Sequence, residues 1–134
     1  MGAWGYRNFE NDSAMNFVGD FKELPTIDVI KEALSLVIEV GTEEEYIEAD
    51  EATAALIAAE IVAIVLGQAA PDAPEELSAL VQKAGLTADD KLVKIARKAV
   101  KQVLKESELR ELWAEGGEPN EWQQVQAGLL KRLG

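Results

Sequence analysis

Glu60 is the residue whose type and position most invite chemistry. The longest apolar stretch of the chain, Ala52 to Leu66, is broken only by Thr53 and Glu60. A carboxylate buried there without a partner would cost several kcal/mol. At helical spacing Glu60 stacks with Thr53 and Gly67 and is flanked by Leu56, Ile57, Ala63 and Ile64. It therefore reads as part of a narrow solvent-facing stripe, as a buried acid paired internally, or as a catalytic carboxylate. The candidate partner is Arg97, which lies at an apolar border with Val93, Val100 and Leu104 while the other bases of its segment fall on the far side. Trp4 or backbone N–H groups of an N-terminal strap are rival donors. Catalysis would require a second titratable group and a cleft beside Glu60.

The remaining inventory narrows what that chemistry could be. Among 134 residues there is no Cys and no His. Disulfides, thiolate nucleophiles, iron–sulfur clusters, zinc sites of the usual kind and Ser-His-Asp catalysis are thereby excluded within this chain. Asn11, Asp12 and Ser13 with Glu10 could hold a cation through oxygen, but the same residues suit a helix start, where they satisfy orphan N–H groups and complement the dipole. Gly2, Ala3, Trp4 and Gly5 could frame a ligand mouth; alternatively the glycines let a strap bend while Trp4 fills the core. Lys91, Lys94, Lys98, Lys101 and Lys105 form one helical stripe that could track phosphates or stand as a solvated face. No aromatic residue lies between Tyr46 and Trp113 to give that face a stacking platform. Gly-rich phosphate loops, EF-hand loops and nucleophile elbows are absent from the sequence, and neither a cofactor nor a metal is expected.

The elements that must position these residues are helical throughout. Asn11, Asp12 and Ser13 start a first helix with Ala14, Phe17, Val18, Phe21 and Leu24 on its apolar face. Pro25 and Thr26 open a second, whose apolar face is Ile27, Ile30, Leu34, Val37 and Ile38, ended by Gly41. A helix from about 51 to 66 is apolar nearly all round and is expected at the centre of the molecule. Pro74 is expected as the first residue of a short helix closed by Gly85, and Thr87 with Asp90 as the capping box of the next, which runs to about Lys105. Ser107 caps a short helix carrying Leu109, Leu112 and Trp113. Pro119 and Asn120 start the last, with Trp122, Val125, Leu129 and Leu133 on one face. The expectation is a single all-α, bundle-like domain over 1–134, with about seven helices and an N-terminal strap. The aromatics cluster at the two ends of the chain, so those ends are expected to meet.

The opening residues, Gly2-Ala3-Trp4-Gly5 followed by Phe9, Glu10, Asn11, Asp12, Ala14 and Phe17, resemble the start of the bacterial family known as domain of unknown function 4259. Ser107 to Trp113, the Gly116-Gly117 pair and Glu121-Trp122 are similar to that family's ending. Members carry Asp and Trp near positions 16 and 17, where this chain has Asn16 and Phe17. The resemblance spans essentially the whole chain and implies a fold without implying a chemistry.

Charge then sets the functional expectation. The formal net charge of −12 is distributed unevenly: residues 1–60 carry three bases against fourteen acids, whereas 91–112 carry seven against three. An acidic surface argues against general affinity for nucleic acid or anionic lipid and suits a basic partner, because complementary charge speeds encounter. The longest apolar stretch is too short to span a bilayer, and the N-terminus lacks the basic and apolar segments of a secretory leader, so a cytoplasmic address is expected. The expected role is a non-enzymatic interaction protein, in concrete form an inhibitor or immunity-type protein against a basic partner. The alternatives are a divalent-metal-dependent hydrolase built on Glu60 with Asp12 or Glu10, and a nucleic-acid contact through Lys91–Lys105.

Overall fold

A computed structural model describes residues 7–115 and 121–134 of the chain. Among these residues there are seven helices and no strand: α1 (Asp12–Glu23), α2 (Ile27–Thr42), α3 (Ala49–Val65), α4 (Glu75–Ala84), α5 (Asp90–Lys105), α6 (Glu108–Ala114) and α7 (Glu121–Leu133). The architecture is all-α, as the period of the apolar residues requires. Trp4 and the rest of the Gly2–Gly5 element lie outside the described residues, as do Pro119 and Asn120.

α3 is the axis of the molecule. Every residue from Ala55 to Ile64 is buried, Glu60 included, and α3 packs against each of the other six helices. A helix touched from all sides has no face to spare for solvent, so its sequence is apolar all round. Its alanines at 52, 54, 55, 58, 59 and 63 keep the cylinder narrow and let neighbours approach closely. The solvent-stripe reading of Glu60 is thereby overturned, since the residue is only 1% exposed.

The helix ends follow local chemistry, with three corrections. Asn11 caps α1 by accepting from Ala14 N at 2.7 Å, and Ser107 caps α6 by accepting from Arg110 N at 3.1 Å. α5, however, is capped by Asp89, which accepts from Leu92 N at 2.8 Å, and not by Thr87. Pro74 stands at the N-cap of α4, one residue before its first helical position. Gly41 does not end α2, which continues through Thr42. A Cβ at Gly41 would overlap the Gln102 side chain of α5, so this glycine serves close approach between helices. The left-handed position that closes α2 is Glu44, at φ 59°. Glu44 N donates to Gly41 O and Glu45 N to Val40 O, the paired bonds of a Schellman motif. Gly67 and Gly85 fill the same role after α3 and α4, at φ 82° and 66°.

α6 is held less by apolar burial, since none of its residues is fully buried, than by bonds to the start of α3. Glu108 N donates to Ile47 O at 2.9 Å, and Ala49 N donates to the Glu108 carboxylate at 2.8 Å. Glu108 thus supplies the N-terminal cap that Glu48 does not provide.

Candidate functional site

Two regions emerge from the residues singled out by type and spacing: the surroundings of Glu60, and the charged surface. At Glu60 three elements converge. α3 supplies the carboxylate, the turn before α1 supplies Asn8, and α7 supplies Gln126 and Arg132. The Arg132 guanidinium grips Glu60 as a fork, with Nη1 to Oε1 at 2.8 Å and Nη2 to Oε2 at 3.1 Å. Asn8 Nδ2 donates to Oε2 at 2.8 Å. Asn8 and Gln126 also form a reciprocal amide pair, with Gln126 Nε2 donating to Asn8 Oδ1 at 2.7 Å and Asn8 Nδ2 donating to Gln126 Oε1 at 3.1 Å. Arg132 Nη1 reaches further, to Gln68 O at 3.0 Å, tying the turn after α3 to the same cluster. Among the described residues no buried side-chain nitrogen or oxygen lacks a partner.

The internal-pair reading of Glu60 therefore survives with a different mate. Arg97 does not reach Glu60; its Nη1 donates to Leu130 O at 2.6 Å, fastening α5 to α7. Arg132 takes its place: α7 packs against α3 and brings a base of its last turn onto Glu60. The two chain ends do meet, and they do so through Asn8 and Gln126 as well as through the shared core that contains Phe9 and Trp122. Asn8, Gln126 and Arg132 escaped the sequence reading. Gln126 carried a signal: it stands four residues after Trp122 and three before Leu129, on the buried stripe of α7, where a polar residue is as anomalous as Glu60 in α3.

The cation reading of the α1 start finds its residues otherwise engaged. Asn11 is the helix cap, Glu10 accepts from Arg7 N at 3.3 Å, and Ser13 Oγ donates to Asp50 at 2.8 Å. Asp12 is exposed in the first turn of α1. Among the described residues no three acidic side chains converge as a metal would require. A pocket of about 420 Å³ lies between the end of α3 and α4, lined in part by Ile64, Val81, Leu86, Ser78 and Thr87; neither Glu60 nor Asn8, Gln126 or Arg132 lines it.

The charged surface is organised around the connector from α2 to α3. Glu43, Glu44, Glu45, Glu48 and Asp50 are exposed, and Tyr46 among them is 53% exposed. The Tyr46 hydroxyl donates to Glu111 of α6 at 2.6 Å. That bond, followed by desolvation and the negative charges of Glu111, Glu108 and Glu48, pushes the Tyr46 pKa up to about 12. Glu51, half-buried at the inner edge, is also raised, by desolvation first and then by Glu48 and Glu45. Both groups feel a concentrated negative field. The opposite sign gathers on α5, where Lys91, Lys94, Lys98, Lys101 and Lys105 are all exposed. None of the five bonds or pairs with a described residue.

No described helix is long and apolar enough to cross a membrane. No curated protein and no solved structure matches the chain. A family model does: the one described as Domain of unknown function (DUF4259) covers residues 2–125, which includes Asn8 and Glu60 and stops short of Gln126 and Arg132. The chain belongs to that family.

Proposed function

We propose that this protein is a non-enzymatic, cytoplasmic interaction protein whose acidic α2–α3 connector docks a basic partner, in the manner of an inhibitor or immunity protein. The observation that carries the reading is the cluster of exposed carboxylates at Glu43–Glu45, Glu48 and Asp50 around the exposed ring of Tyr46. Tyrosine combines a large contact area with a polar tip and is enriched at interfaces, and a surrounding field of one sign steers an oppositely charged partner. Glu60 supports the non-enzymatic reading over a hydrolase built on carboxylates. Both its oxygens are occupied by donors, its nearest charged neighbour is an arginine held as a fork, and it does not line the pocket between α3 and α4.

The test uses the immobilised chain to capture proteins from a native lysate at low salt, beside a variant with Glu43, Glu45 and Glu48 changed to Gln. A basic protein retained by the wild type and lost from the variant is the expected result. Capture of nothing by the wild type, or capture unaffected by the three substitutions, removes the reading.

A further inference from the structure

The five lysines of α5 are set apart in a way that solvation does not explain. From Lys91 to Lys105 there is no acidic residue at all, in a chain that contains 25 Asp and Glu. Successive lysines fall three or four residues apart, so each is the like-charge neighbour of the next, an arrangement that disfavours the helix. An ordinary exposed face intersperses both signs. The helix beside it is mainly of the other sign: α2 packs against α5 and presents Asp28, Glu32 and Glu39 outward, with Lys31 the one base on its exposed face, and the acidic row continues into Glu43 and Glu45 beyond its end. Neighbouring rows of opposite charge thus lie on one molecule, and no ion pair joins them among the described residues.

We infer that these rows satisfy each other between two copies of the chain, the lysine row of α5 in each copy taking the acidic α2-to-connector row of the other. The inference rests on the reading of the acidic face as a docking surface and names its basic partner as a second copy. A two-fold axis running along the helices between the rows places each row opposite its complement in both directions at once, which is the condition for a closed, self-complementary dimer. The rows match in length, because α2 and α5 each have 16 residues, about 24 Å at the rise of an α-helix. A duplex nucleic acid fits less well: it is wide enough to overlie the flanking carboxylates of α2, and the net charge of −12 repels it. Both rows are charged along their length, so salt governs the dimer.

Sedimentation of the full chain over a concentration series at low and high salt tests the inference. A dimer that forms at low salt and dissociates at high salt is expected. Two variants, one with Lys94, Lys98 and Lys101 changed to Glu and one with Glu32, Glu39 and Glu43 changed to Lys, should each be folded by circular dichroism and monomeric. Mixed in equal amounts they should form a one-to-one dimer, because the reversed rows again complement each other. Each variant keeps a net negative charge, so indiscriminate attraction does not account for the pairing. A chain monomeric under all conditions, a dimer indifferent to salt and to both reversals, or variants that fail to pair on mixing overturns the inference. A lysine-rich peptide separates it from the functional reading: a monomeric chain that binds the peptide through its connector loses the second copy alone, and one that binds nothing loses both. A monomer whose lysine row binds a single-stranded oligonucleotide overturns it in favour of nucleic acid.

Discussion

Glu60 accepts three hydrogen bonds from two side chains while being almost wholly enclosed, and the number of donors is what makes its charge tolerable in the core. Removing the acid leaves Asn8 Nδ2 with only Gln126 and leaves the Arg132 fork unmatched; removing Arg132 strands the carboxylate. Glu60→Ala and Arg132→Ala are each expected to destabilise the fold by about 3–5 kcal/mol in denaturant unfolding. Arg97→Ala, which forfeits one bond to a backbone carbonyl, is expected to cost about 1 kcal/mol. Equal costs for Arg97→Ala and Arg132→Ala would contradict the assignment of the pair. At the acidic edge the sign is opposite. The Glu51 carboxyl is raised in the folded state by desolvation and then by Glu48 and Glu45, so folding prefers its protonated form. Its stabilising contribution is present below the ordinary carboxylate range and is lost as pH rises through its folded value. Glu51→Gln should therefore raise the melting temperature at neutral pH, with the gain vanishing as the pH is lowered through the carboxylate range. A gain that persists unchanged in acid would show that charge is not its origin.

Among the elements, α2 and α5 depart most from their sequence signals. A glycine in a helical pattern reads as a terminator, yet Gly41 sits inside α2 because Gln102 of the neighbouring helix lies across it. The chain then turns at Glu44, a side-chain-bearing residue held in the left-handed region. That conformation costs a non-glycine residue roughly 1 kcal/mol, so Glu44→Gly should stabilise the protein by about 0.5–1 kcal/mol, checked by chemical denaturation. At the start of α5, Thr87 and Asp89 both precede acidic residues and both suit a cap. Only Asp89 places its oxygen on a free N–H, that of Leu92. Asp89→Ala is expected to cost about 1 kcal/mol and Thr87→Ala less than about 0.5, by melting or denaturant curves. A larger loss at Thr87 would restore the longer helix.

The whole molecule is fastened at its ends. The turn before α1 and the last turn of α7 both reach Glu60 at the middle of α3, so the interior is closed by segments more than a hundred residues apart. Deleting Lys131–Gly134 removes both the Arg132 fork and the buried Leu133. With total stabilities of small domains near 5–15 kcal/mol, the shortened chain should melt far below the full one, or not fold. A melting temperature near that of the intact protein would show that the ends are dispensable.

Local rules made much of this legible in advance. Apolar period and capping residues located seven helices, marked α3 as the central one and flagged Glu60 as anomalous, because those signals depend only on neighbours a few residues away. The lysine row and the acidic connector were likewise visible, since a helix projects residues three and four apart onto one face. Tertiary structure alone decided that Glu60 pairs with Arg132 and not Arg97, that Asn8 and Gln126 complete its shell, and that Gly41 accommodates Gln102. Each of those contacts depends on how helices distant in sequence are packed, and the period of a single helix carries no information about which neighbour will lie across it.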